Sequence, residues 1–177
     1  MPACYEAGVG LILGPGCLRL DVLAGKMYWT DTGNDTIKRA NLNGTSVQTL
    51  VSTGLSFPRG LALDPAAGKM YWTDSGNDTI KRADLGGTNI ETLLDNTLVA
   101  GPGGITIDVV HERIYWSELD FDVIRRGRTD GTGVEDLITG VGNVSNAIAL
   151  DLTSADCNGN GIPDECDIGG SLTYPTF

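Results

Sequence analysis

One histidine in 177 residues, and no apolar run long enough to cross a bilayer, already narrow what this chain can do. His111 sits in the turn Val109-Val110-His111-Glu112-Arg113, where a solvated turn residue is expected rather than a general base. There is no zinc-binding His-Glu-x-x-His, no nucleophile elbow and no phosphate-binding loop. Basic residues are scarce: 12 Lys and Arg stand against 23 Asp and Glu, a net charge of −11. That balance excludes a phosphate-binding face and hence nucleic acid as a partner, while an acidic surface suits Ca²⁺ ligation. The N-terminus MPACYEAGVGLILGPG lacks the basic start and long apolar core of a signal peptide, so an export signal is expected outside this chain. No stretch carries a sustained 3.6-residue apolar stripe, which argues for almost no helix.

What is present is repetition. Gly25 to Thr45, GKMYWTDTGNDTIKRANLNGT, returns 43 positions later as Gly68 to Thr88, GKMYWTDSGNDTIKRADLGGT, with three differences. A weaker copy follows 44 residues on, with Ile114-Tyr115-Trp116-Ser117-Glu118 in place of Met-Tyr-Trp-Thr-Asp. Pro15, Pro58 and Pro102 share one phase, and each precedes a short alternating run that ends in Asp21, Asp64 or Asp108. A fourth such run, Ala147–Asp151, has no Tyr-Trp segment after it. A period in the low forties marks a stack of modules, none of which buries its apolar face alone.

Within a unit the period is that of strands. In the second unit they are expected near 60–64, 69–74, 79–84 and 90–94. The connectors 65–68, 75–78 and 85–88 are rich in the Gly, Asn and Asp that tight hairpins need. Four short antiparallel strands per unit describe one blade of a propeller. The expected fold class is therefore all-β, a partial propeller of about three four-stranded blades. The expected organisation is an irregular segment 1–14, blades over 15–153 with units starting near 15, 58, 102 and 145, and a tail 154–177.

Met27-Tyr28-Trp29-Thr30-Asp31 and Met70-Tyr71-Trp72-Thr73-Asp74, each after an alternating strand ending in Asp and before Thr-Ile-Lys-Arg-Ala, resemble YWTD repeats. These are the class B repeats of the low-density lipoprotein receptor. The resemblance covers about residues 15–153 and implies four-stranded blades with YWTD on the second strand and the Asp-ending strand nearest the central channel. Ser117-Glu118 departs from the pattern and puts in question any hydrogen bond that needs the shorter carboxylate. The resemblance also implies six blades, against three and one strand here. Three arrangements answer this: a fragment of a longer product, a homodimer completing a six-bladed ring, or an arc whose edges are masked by its own termini.

The recurrence of Asp31, Asp64, Asp74 and Asp108 at fixed repeat positions points to a structural rather than an acid/base role. Asn34-Asp35-Thr36 and Asn77-Asp78-Thr79 fit the glycosylation pattern but are hairpin turns first. The channel is expected to be lined by Gly16, Arg59, Gly103 and Asn146, with no His or Glu cluster for a catalytic metal. The expectation is a non-enzymatic, secreted or cell-surface binding or adhesion module that presents a propeller face to a protein or glycan. The alternative is part of a propeller enzyme of lyase or hydrolase type, whose active site lies outside this chain.

The tail holds a second motif, Asp156 to Asp167, D-C-N-G-N-G-I-P-D-E-C-D. Oxygen side chains fall at loop positions 1, 3, 5, 9 and 12, as Asp156, Asn158, Asn160, Asp164 and Asp167. Gly161 stands at the sharp turn and Ile162 can offer its carbonyl, which is the spacing of a Ca²⁺ loop with Asp in place of the final Glu. Gly169-Gly170 and Pro163 disfavour a helix–loop–helix, and the segment resembles the calcium loops of thrombospondin type 3 repeats and dockerin modules. The competing reading is an Asn/Gly/Asp linker without metal. Cys157 and Cys166, near the two ends of the loop, are read equally as a disulfide or as two thiols, and Cys17 as a buried free thiol. Three carboxylates without a paired loop predict weak Ca²⁺ binding, roughly 10⁻⁴–10⁻³ M. Calorimetric titration of the whole chain should show that heat, and Asp156→Ala should abolish it; equal heats from the two would make the loop a linker.

Overall fold

The computed structural model describes residues 15–140 and 148–149. The calcium loop, Cys4, Cys157, Cys166 and Asn146 lie outside them, as does most of the fourth Asp-ending run.

Among the described residues twelve strands form three antiparallel meanders of four. The first is β1 (Pro15–Asp21), β2 (Lys26–Asp31), β3 (Thr36–Asn41) and β4 (Gln48–Val51). The second is β5 (Pro58–Asp64), β6 (Lys69–Asp74), β7 (Thr79–Asp84) and β8 (Glu91–Leu94). The third is β9 (Pro102–Asp108), β10 (Arg113–Glu118), β11 (Val123–Arg128) and β12 (Glu135–Thr139). In the second unit the sequence expectation misses only the first two residues of β5 and starts β8 one residue early. The register repeats as well, pairing Leu18 with Trp29, Leu61 with Trp72 and Ile105 with Trp116. Gly25 and Gly68 turn β1 into β2 and β5 into β6 at φ 65° and 67°, while the third blade makes the same turn with Glu112 at φ 53°. A side chain there is strained, yet the turn keeps the backbone bond of the other two blades: Glu112 O accepts from Thr129 N at 3.0 Å.

Strand alternation splits each Tyr-Trp-Thr-Asp segment between two interfaces. Tyr28 joins Cys17, Ile37, Val51, Leu61, Met70 and Trp72 in one core, between the first and second blades. Tyr71 joins Ile80, Leu94, Ile105, Ile114 and Trp116 in the other, between the second and third. Tyr thus faces the following blade and Trp the preceding one. Trp72 and Trp116 are fully buried, whereas Trp29, with no blade before it among the described residues, is half-buried.

Cys17 is buried at the first junction, but it is not the free thiol that its place on an inner strand implied: it is disulfide-bonded. Strand pattern alone carries no information about a disulfide partner. A side chain fits there, whereas a Cβ at the equivalent Gly60 would stand 2.7 Å from Ile105 N.

Unequal burial of one motif residue gives unequal costs. Trp72→Ala should lower the unfolding free energy by roughly 3–5 kcal/mol, and Trp29→Ala by clearly less. Urea titration reads both, and equal losses would contradict the assignment of Trp29 to an outer face.

Candidate interaction face

The threonine of each YWTD segment clamps its own inner strand to the next. Cys17 N donates to Thr30 Oγ1 at 2.8 Å, and that hydroxyl donates to Arg59 O at 2.7 Å. One blade on, Gly60 N donates to Thr73 Oγ1 at 2.7 Å and Thr73 Oγ1 donates to Gly103 O at 2.5 Å. Ser117 likewise accepts from its own inner strand, from Gly104 N at 2.9 Å. Arg59 and Gly103, expected at the channel, are therefore placed through their backbone carbonyls. The Arg59 side chain turns to the β6–β7 hairpin, where its Nε donates to Ser75 Oγ at 2.8 Å.

Sequence reasoning did not single out Arg19. Its Nη2 reaches from the first inner strand to Ile105 O of the third at 3.5 Å, and burial pushes its pKa down. A cation inside an inner strand is the signal that was there to be read.

The register brings the start of each inner strand beside the end of the YWTD strand: Pro15 pairs with Asp31 and Pro58 with Asp74. The hairpins 32–35, 75–78 and 119–122 and the linkers 52–57 and 95–101 thus share one end of the blades. Acidic side chains knit this end together. Asp74 accepts from Ser56 N at 3.0 Å and Asn77 Nδ2 at 2.9 Å. Asp35 accepts from Phe57 N at 2.8 Å, and its counterpart Asp78 from Gly101 N at 2.7 Å. Asn34 Nδ2 donates to both Asp31 oxygens, so the glycosylation-like turns are built as hairpins. At the opposite end Asp64 accepts from Ala67 N and Asp108 from Val110 N and His111 N. His111 Nδ1 lies 2.6 Å from Asp108 Oδ2 and the ring is only partly exposed. The expected solvated histidine is pinned because Asp108, itself buried, needs a partner.

Glu118 answers the question its length raised. It still accepts the linker amide, Ala100 N at 3.4 Å, and its extra methylene lets Oε1 accept from Trp116 Nε1 at 2.9 Å. Arg125 Nη1 closes the charge at 3.0 Å. Trp72 Nε1, beside the shorter Asp74, is buried without a partner.

Asp31 and Asp74 occupy one repeat position and titrate in opposite directions. Burial pushes Asp31 up, but hydrogen bonds from Lys38 and Asn34 outweigh it and hold the carboxyl below its ordinary value. Burial dominates at Asp74, whose carboxyl is raised despite Asn77 and Ser56. The cause is position: Asp74 is sealed in a junction with Lys81 Nζ 3.9 Å away, whereas Asp31 is on the outer face with Lys38 Nζ at 2.8 Å.

Between these paired charges, Phe57 and Phe121 stand 55% and 63% exposed on the same end. Phe57 holds φ 56°, a left-handed conformation that the next blade gives to Gly101 at φ 54°.

Residues 25–65 and 68–109 match the family profile of the low-density lipoprotein receptor repeat class B. The three sheets form a partial YWTD propeller. The chain is 47% identical over 45 residues to human low-density lipoprotein receptor-related protein 5, covering 25% of this chain and 3% of that protein. It is 56% identical over 36 residues to human low-density lipoprotein receptor-related protein 4, covering 20% of this chain and 2% of that one. The chain thus spans a small fraction of both relatives. Among solved structures, a chain of the nidogen/laminin complex superposes with a TM-score of 0.61 at 36% identity, over 66% of this chain and 44% of that one. A streptogramin B lyase superposes with a TM-score of 0.59 over 73% of this chain and 42% of the lyase, at 20% identity, a likeness of fold alone.

Among the described residues no three His, Cys, Asp or Glu side chains cluster to hold a metal, and no helix is long and apolar enough to cross a membrane.

The two aspartates predict opposite pH responses. The lowered Asp31 contributes stability that is full above the ordinary aspartate range and is lost as pH falls through its folded value. The raised Asp74 carries a penalty that sets in as pH rises through the ordinary range to its folded value. As pH rises from about 3 to 7, Asp31→Asn should fall progressively behind the parent in melting temperature and Asp74→Asn should gain on it. Parallel profiles for the two variants would overturn the contrast.

Proposed function

We propose that this chain is a non-enzymatic binding or adhesion module of an oxidising, extracytoplasmic compartment. The hairpin-and-linker end of its YWTD propeller engages a protein or glycan, and the Asp156–Asp167 loop binds Ca²⁺ through Asp156, Asn158, Asn160, Ile162, Asp164 and Asp167. The observation that carries the reading is Phe57. An exposed aromatic ring is kept in a strained backbone conformation, at a position where another blade uses glycine, on an end where Asp35, Asp74 and Asp78 are committed to linker amides. Strain of that kind persists where the side chain has a use. The Cys17 disulfide supports the compartment. The solved nidogen/laminin complex supports a protein partner, since a related propeller there sits with another protein.

The test is surface plasmon resonance against laminin, a panel of other matrix proteins and a glycan array, using the parent, Phe57→Gly and Phe121→Ala. Phe57→Gly should keep or raise the melting temperature, by about 1 kcal/mol or less of relieved strain, and should weaken binding roughly tenfold or more, as loss of an aromatic anchor does. Binding that survives both substitutions would place the partner elsewhere.

A further inference from the structure

The outward faces of the first and third blades are complements of each other. At the two internal junctions the same contacts recur at the same repeat positions. Arg39 Nη1 donates to Leu85 O at 3.3 Å, and one blade on Arg82 Nη1 donates to Thr129 O at 2.9 Å. Gly87 and Gly131 lie so close to the preceding blade's outermost strand that an added Cβ would collide with Leu50 O and Leu93 O. Val51 and Leu94 close the two cores at 3% and 1% exposure.

At the ends of the stack these positions stand open. Ile138, the counterpart of Val51 and Leu94, is 47% exposed, and Leu42, the counterpart of the half-buried Leu85, is 43% exposed. Gly44 shares the conformation of Gly87 and Gly131, φ 82° against 85° and 86°, yet nothing lies within 4 Å of its Cβ position. The first blade therefore offers the receiving half of a junction, and the third blade the inserting half, with Arg126 at the place of Arg39 and Arg82.

We infer that the chain associates head to tail with a second copy, the first blade of one seated on the third blade of the other. A second copy is the occupant because the two open faces repeat, position for position, surfaces that already pack together inside this chain. In that junction Arg126 donates to Leu42 O of the second copy, Ile138 packs over Leu42, and the strand backbone at Leu137 fills the space above Gly44. The contact is heterologous, so each copy uses one face of each kind.

Sedimentation velocity of the whole chain across a dilution series tests this. The parent should sediment with at least twice the monomer mass. Leu42→Lys removes one face and Ile138→Lys the other, both at exposed positions, so each variant alone should be monomeric with the parent's near-UV circular dichroism. An equimolar mixture should recover a two-chain species and grow no further, because Leu42→Lys retains the third-blade face and Ile138→Lys the first-blade face. A monomeric parent, as when its own terminal segments cover the faces, overturns the proposal. So does assembly by either variant alone, or a mixture that stays monomeric. If a lysine variant loses its near-UV signal, Leu42→Gln and Ile138→Gln replace the pair.

Discussion

A four-stranded sheet this small has two faces and can cover neither. Every feature of the chain follows from having to supply each blade with a neighbour. The YWTD segment meets that demand by alternation, with Tyr and Thr committed forward and Trp and Asp committed back. Stability is then a sum over junctions rather than over blades, and identical residues differ in worth with their place in the row. Trp72 and Trp29 are the same residue in the same motif, yet one is sealed and the other half-wet. Asp74 and Asp31 show the electrostatic version of the same difference.

Much of this was legible in the sequence, because repeats and strand periods are local signals. Pro15, Pro58 and Pro102 mark the start of the three inner strands, and the YWTD segments lie on the second strand of each blade. What could not be read depends on side-chain contacts that strand alternation does not encode. Cys17 looked like a packed thiol because its sulfur partner leaves no trace in strand alternation. Arg19 looked like one polar member of an alternating run until β1 and β9 came within reach of each other. Glu118 looked like a defect because spacing says nothing about the neighbouring indole that its longer arm satisfies. The calcium loop, the sharpest motif in the sequence, lies outside the described residues.

The structure also separates two tasks by position. The flat faces of the blades carry the apolar surface that builds the stack. The hairpin end carries charges paired within the chain, together with a few exposed rings. Because carboxylates such as Asp35 and Asp78 are spent on linker amides, the acidity of this end does not translate into an open cation trap. The rings of Phe57 and Phe121, in contrast, stand exposed on it.

The threonine clamp ends on a carbonyl oxygen of the next blade, at Arg59 in one case and at Gly103 in the other. A backbone acceptor makes no demand on the side chain that carries it. Arginine and glycine serve the clamp equally well, although one puts a guanidinium on the rim and the other puts nothing there. At the equivalent Gly16, though, an added Cβ would stand 2.8 Å from the clamp hydroxyl Thr30 Oγ1, so the rim can be rewritten only where the backbone leaves room for a side chain.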